Sequence, residues 1–142
     1  MGTEALQVEL TREPIDPRAL AERVADGATG ATAIFLGTVR ESHHGRGVLR
    51  LDYEAYAEMA LREMRKIAEE LREKFPVRRA AIIHRLGTLE IGEVSIGIAL
   101  SLPHRADSFA ALKHAIDTFK ERVPIWKREH FADGESEWVE GS

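Results

Sequence analysis

The hydrophobic period of this chain changes at Pro76. Before it, Ala60, Met64, Ile67, Leu71 and Phe75 recur at steps of three and four residues, which predicts a helix from about Ala57 to Phe75. After it, Arg79 to Leu86 and Val94 to Leu102 read as strands, the second with Val94, Ile96, Ile98, Leu100 and Leu102 on one face. Proline has no N–H with which to continue a helix and pushes the residue before it out of helical geometry, so the switch is abrupt. A one-sided helix and a one-sided strand each need an apolar partner, so the chain has to build a sheet covered by helices.

The flanking segments fit that frame. Ala5 to Leu10 alternates weakly, as an edge strand does, and Asp16-Pro17 reads as an N-cap followed by proline at the first helical position, with Gly27 as the stop. Thr29 to Val39 reads as a buried strand ending at Arg40, and Glu41 to Gly47 as a polar, mobile, glycine-bearing loop. Val48 to Tyr56 alternates Leu49, Leu51, Tyr53 and Ala55 against Arg50, Asp52 and Glu54, and Glu90 to Glu93 reads as a hairpin turn. A further helix runs from Arg105 or Asp107 to Arg122 with a stripe of Phe109, Leu112, Ile116, Phe119 and Val123. Ile125 to Phe131 and Glu137 to Glu140 then form a small hairpin closed at Ala132-Asp133-Gly134. No linker or repeat interrupts this order, so the expectation is one α+β domain, 1–142, with a largely antiparallel sheet.

Charge narrows the function. At 142 residues with a formal net charge of −4, the chain is no general binder of nucleic acid or membrane surface, and any attraction for an anion has to be local. The local candidate is Lys120-Glu121-Arg122-Val123-Pro124-Ile125-Trp126-Lys127-Arg128-Glu129. Lys120 rides the last turn of a helix, Pro124 turns the chain, and Lys127 sits on the extended segment beyond it, able to swing back towards Lys120 and His104-Arg105. Basic residues in a last turn also simply favour the helix's negative end and face water. Trp126 between Pro124 and Lys127 favours a packed, fixed backbone.

Other residues carry weaker signals. Arg40 ends a strand before a loop, a position that holds a backbone still while its head group faces a cleft, although capping a sheet edge is the alternative. His104-Arg105 follows Pro103 at a helix start, where free N–H groups favour an anion. Glu129, two residues after Lys127, either holds that lysine or is solvated, and Tyr53, Glu54 and Tyr56 read as strand packing. The chain has six histidines but no spaced ligand set, so metal is set aside. It has no cysteine, so any sulfur it handles comes from another molecule. The first residues, Met1 to Leu6, show no leader pattern and no apolar run spans a bilayer, which predicts a cytoplasmic location.

Five strings, GATAIFLGTVR, GVLRLDYEAYAEMA, IIHRLGTLEIGE, SLPHR and FKERVPIWKRE, followed by a closing WVE, stand in order from about Gly27 to Glu140. Together they resemble the large, catalytic subunit of molybdopterin synthase. The resemblance implies an α/β hammerhead-type fold, mostly antiparallel, with a small added β-subdomain. It implies a homodimer of large subunits flanked by two small ubiquitin-like subunits, a heterotetramer, and no cofactor. The implied reaction converts cyclic pyranopterin monophosphate to molybdopterin, taking two sulfurs from a thiocarboxylate at the small subunit's C-terminal glycine. By the same resemblance, Arg40, His104 and Arg105 belong to the substrate phosphate pocket and Lys120 and Lys127 to the reaction centre, with Arg128 and Glu129 in support. Lys120 would lie beside the thiocarboxylate and Lys127 on the pterin side. A different class, a non-catalytic sensor that holds a phosphorylated metabolite in the same cationic pocket, would show binding without turnover. A hydrolase of cyclic phosphates with His104 as base would need only water.

Overall fold

Pro76 does mark the end of the long helix. The computed structural model describes residues 4–140, so the readings of Met1–Thr3 and Gly141–Ser142 lie outside the described residues. Helix α2 spans Ala57–Lys74 and buries Ala60, Met64, Ile67, Ala68 and Leu71. It covers one face of a four-stranded sheet in the order β1-β5-β7-β2, formed by β1 (Leu6–Thr11), β2 (Ala31–Thr38), β5 (Arg79–Arg85) and β7 (Val94–Leu102). β7 runs antiparallel to both β5 and β2, while β1 is parallel to β5. Helix α3 (Ser108–Arg122) lies against α2, and Glu70 of α2 pairs with Arg122 and His114 of α3.

The opposite face of this sheet is covered by α1 (Pro17–Arg23), whose N-cap Asp16 accepts from the Arg18 N–H at 3.0 Å. Leu20 and Val24 pack there on Ala81, Ile83 and Ala99, whereas Ile82, Ile98 and Leu100 point into the main core with α2 and α3. Gly97 makes the approach of α1 possible, since a Cβ there would stand 2.7 Å from Leu20 Cδ2. A sheet covered on both faces explains why β7 is buried almost from end to end.

A second sheet is built around β4 (Arg46–Ala55), which pairs with β3 (Ser42–His43), β6 (Gly87–Glu90) and β8 (Ile125–Phe131); β9 (Ser136–Glu140) pairs with β8. The architecture is the expected α+β class with mostly antiparallel strands. Four local expectations are corrected in whole or in part. Leu49 is exposed while Val48, Leu51 and Tyr53 are buried, because a bulge against β8 between Val48 and Arg50 shifts the alternation by one. β2 lies at the sheet edge and is only half-buried, with Ile34 exposed. The turn at Glu90 to Glu93 is present, with the Glu93 N–H on the Glu90 carbonyl at 3.1 Å, but it does not join β5 and β7 directly, since β6 intervenes and crosses to pair with β4. Phe109 is exposed, because the buried side of α3 is carried by Ala111, Ala115, Thr118 and Phe119.

Candidate active site

The end of β2, the end of α3 and the start of β8 converge on a cavity of about 300 Å³. Arg40 reaches it from just beyond β2, where the Val39 N–H donates to the Glu93 carbonyl at 3.0 Å and the Gly92 N–H to the Val39 carbonyl at 2.9 Å. That two-way bond holds the backbone beside Arg40. Lys120 arrives on the last turn of α3, next to the buried Phe119. The helix then closes with the Val123 N–H on the Phe119 carbonyl, Pro124 breaks it, and β8 begins at Ile125. Alternation along β8 puts Lys127 and Glu129 on the cavity side with the buried Ile125 and Phe131.

The same alternation sends Arg128 the other way. Its Nε donates to Ser136 Oγ at 3.0 Å and its guanidinium lies 5.8 Å from the Trp138 ring, so it supports the β8–β9 hairpin and does not line the cavity. His104 and Arg105 are also elsewhere. Both are exposed and line a shallow depression with Gly30, Pro103 and Ala106, next to the single 3-10 turn that precedes α3. Arg105 and Lys120 stand at opposite ends of one helical stretch, and at 1.5 Å per residue the fifteen steps between them span roughly 22 Å. The expected gathering of all these cations in one pocket of one chain is corrected on that ground.

Burial lowers the Lys127 ammonium from its ordinary value, and the positive charges of Lys120 and Arg40 add to the effect while Glu129 opposes it. An amine depressed in this way gives up a proton more readily than a solvated lysine. Glu129 is the one buried carboxylate among the described residues and lies 2.8 Å from His43 Nδ1. Behind it, burial raises the Tyr53 phenol, against a hydrogen bond to the Ser95 side chain. Tyr53 and Phe119 also back onto His84, edge-on at 4.8 Å and stacked at 5.7 Å between ring centroids.

His43, Tyr53 and Ser95 line the cavity and were not singled out from the sequence as site residues. Tyr53 had a usable signal, since it shares the inward face of β4 with Leu51 and falls opposite Lys127 in the register. His43 had none, because its partner is 86 positions away. Chemically, the cavity combines three cations, one of them a half-buried amine, with a single buried carboxylate, a set suited to an anionic substrate whose charge shifts during reaction.

Residues 10–122 match the family model described as MoaE protein. The chain is 46% identical to a molybdopterin synthase catalytic subunit of Halalkalibacterium halodurans, over 92% of this chain and 83% of that protein. It is 45% identical to one of Drosophila melanogaster over 94% of this chain but only 37% of that longer protein. Among solved structures, the molybdopterin synthase of Staphylococcus aureus is similar with a TM-score of 0.87 at 40% identity, over 92% of this chain and 95% of that one. With the family model, the relatives and the shared fold in agreement, the chain belongs to the MoaE protein family, that of the molybdopterin synthase catalytic subunits.

Proposed function

We propose that this chain, acting as one domain over residues 1–142, uses the cavity of Arg40, Lys120 and Lys127 to place two sulfurs on cyclic pyranopterin monophosphate, forming the dithiolene of molybdopterin. The observation that carries the reading is the convergence of those three cations on one small cavity in a chain that has no cysteine. Sulfur therefore arrives on a partner. The relatives are named catalytic subunits, which implies a second subunit, and the fitting donor is a small ubiquitin-like protein ending in a thiocarboxylated Gly-Gly. In each transfer the donor sulfur forms a C–S bond in place of an oxygen substituent of the substrate. Water then cleaves the acyl–sulfur bond, leaving a carboxylate on the donor and a thiol on the product. Lys120, exposed at the end of α3, suits the incoming anionic tail, and Lys127, deeper and depressed in pKa, suits proton transfer on the pterin side. Arg40, on the same cavity, suits the substrate phosphate, and Glu129 faces that cavity from the same strand face as Lys127.

His104 and Arg105 fit the same reading only from a second copy of the chain, since α3 holds them roughly 22 Å from Lys120. A homodimer in which each copy lends these residues to its neighbour's phosphate, inside a heterotetramer with two small subunits, accounts for both placements. No helix among the described residues is long and apolar enough to cross a membrane, and a cytoplasmic setting suits a reaction between small molecules and soluble partners. The test is to mix the chain with cyclic pyranopterin monophosphate and the thiocarboxylated small subunit and to look for dithiolene product. Wild type should form it, and Lys127→Ala should lose at least about 10²-fold in rate while still binding the small subunit. Product formation at the wild-type rate in that variant would remove Lys127 from the chemistry.

A further inference from the structure

Glu129 has an obvious partner that it does not take. Lys127 lies two residues away on the same face of β8, with Cα atoms roughly 7 Å apart, within reach of both long side chains. Yet Glu129 pairs with His43 Nδ1 at 2.8 Å, and Lys127 forms no ion pair among the described residues. Because a carboxylate only accepts, His43 Nδ1 carries the hydrogen.

The backbone around His43 is built to make that contact. His43 pairs with Arg46 across a two-residue turn whose His44 (φ 51°) and Gly45 (φ 79°) are both left-handed, the geometry of a tight hairpin. The expected mobile loop at Glu41 to Gly47 is instead this hairpin. Its far strand is tied down by Arg46, which meets Asp133, Glu135 and Glu137 at 2.8–2.9 Å and covers the Phe131 ring at 3.7 Å. His43 is thereby held over the cavity rim, next to the strand that carries Glu129.

We propose that His43 is a positioning residue of this site: it holds the Glu129 carboxylate to the β3–β4 hairpin and so keeps it from closing onto Lys127, whose amine stays unpaired in the cavity. The groups facing Lys127 are Glu129 on its own strand, Lys120 from α3, Arg40 after β2, His43 from β3, Tyr53 from β4 and His84 from β5. Glu129 is the only fixed negative charge in that set. A Glu129 released from His43 is drawn to the nearest cation, and a direct carboxylate contact stabilises the charged lysine. The inference rests on the proposed sulfur transfer for its meaning in catalysis, but the contact can be tested without turnover.

The experiment is a pH titration of Lys127 by NMR in protein carrying lysine labelled with 13C at Cε, the signal being assigned by its loss in Lys127→Arg. His43→Ala should raise the Lys127 pKa by about one unit. His43→Asn, whose amide N–H can stand where the imidazole N–H does, should leave it near the wild-type value. The double variant His43→Ala/Glu129→Gln should show no rise, because the charge that would pair with Lys127 is gone. An unchanged titration in His43→Ala, or an equal rise in the double variant, would overturn the proposal. In the sulfur-transfer assay, His43→Ala should lower kcat about tenfold with little change in KM, move the Lys127-dependent limb of the pH profile to higher pH, and be rescued by His43→Asn. A shifted titration with unchanged kcat would also overturn the positioning role. Absence of transfer in wild type, with the NMR shifts present, would remove the proposed reaction and leave the contact standing.

Discussion

His84 is fully buried between Tyr53 and Phe119, two of the side chains that line the cavity. Its Nδ1–H donates to the Arg85 carbonyl at 2.8 Å, and its Nε2 has no hydrogen-bond partner among the described residues. Burial pushes its pKa down to about 4, and the charge of Lys127 adds to that push. The unfolded chain, with histidine near its ordinary value, binds a proton between about pH 6.5 and 4 that the folded chain refuses. Stability from this residue is therefore complete above pH 6.5 and falls as pH drops, by about 3 kcal/mol in all by pH 4. Carboxylates titrate in the same window, so the diagnostic quantity is a difference. Urea unfolding of wild type and His84→Phe at several pH values should show the wild type losing more stability than the variant between pH 6.5 and 4.5. Parallel curves would mean that the folded protein accommodates the charged imidazole. The neutral ring keeps one more positive charge away from Lys127, which already faces Lys120 and Arg40.

At the scale of elements, the β3–β4 hairpin departs from the local preference of its own turn. A two-residue turn with both residues left-handed prefers Asn-Gly, yet this chain places His44 before Gly45. A non-glycine side chain in that region costs roughly 1–2 kcal/mol, and asparagine relieves part of the cost by bonding locally. His44→Asn should accordingly stabilise the chain by about 1 kcal/mol in urea unfolding; a loss of stability would show that the tilted ring contact of His44 with His43, 4.1 Å between centroids, outweighs the turn strain. Other elements were legible from period alone. The apolar face of α2 and the inward face of β7 follow from steps of three or four and of two. β4 was not, because a bulge inserts one residue into the alternation and leaves no mark in composition.

At the scale of the whole molecule, the distance along α3 separates His104 and Arg105 from the cavity that Lys120 lines. Arg105 and Lys120 cannot meet within one chain. If a second copy supplies His104 and Arg105, two defective chains can complement each other. Arg105→Ala and Lys127→Ala should each be close to inactive alone, and after mixing and subunit exchange should recover about one quarter of wild-type activity. Half of the dimers are then mixed, and each mixed dimer holds one intact site. No recovery, with exchange verified by mass, would rule out the supply of Arg105 by a second copy, and near-normal activity of Arg105→Ala alone would place that residue outside the reaction.

The sequence by itself determined the class of the fold and the local placement of Lys120, Lys127 and Glu129. Steps of three or four on one side of Pro76 and of two on the other already require helices on a sheet, and Pro124 together with strand alternation already places Lys120 at a helix end with Lys127 and Glu129 on one strand face. These are consequences of local backbone geometry, which acts over a few residues. The tertiary structure alone decided that Arg40 joins the two lysines, that Arg128 faces away to Ser136, that His104 and Arg105 lie apart, and that Glu129 answers to His43. Each of those facts depends on which strands pair, at what register and at what separation along a helix, and such long-range choices are settled by packing over the whole chain.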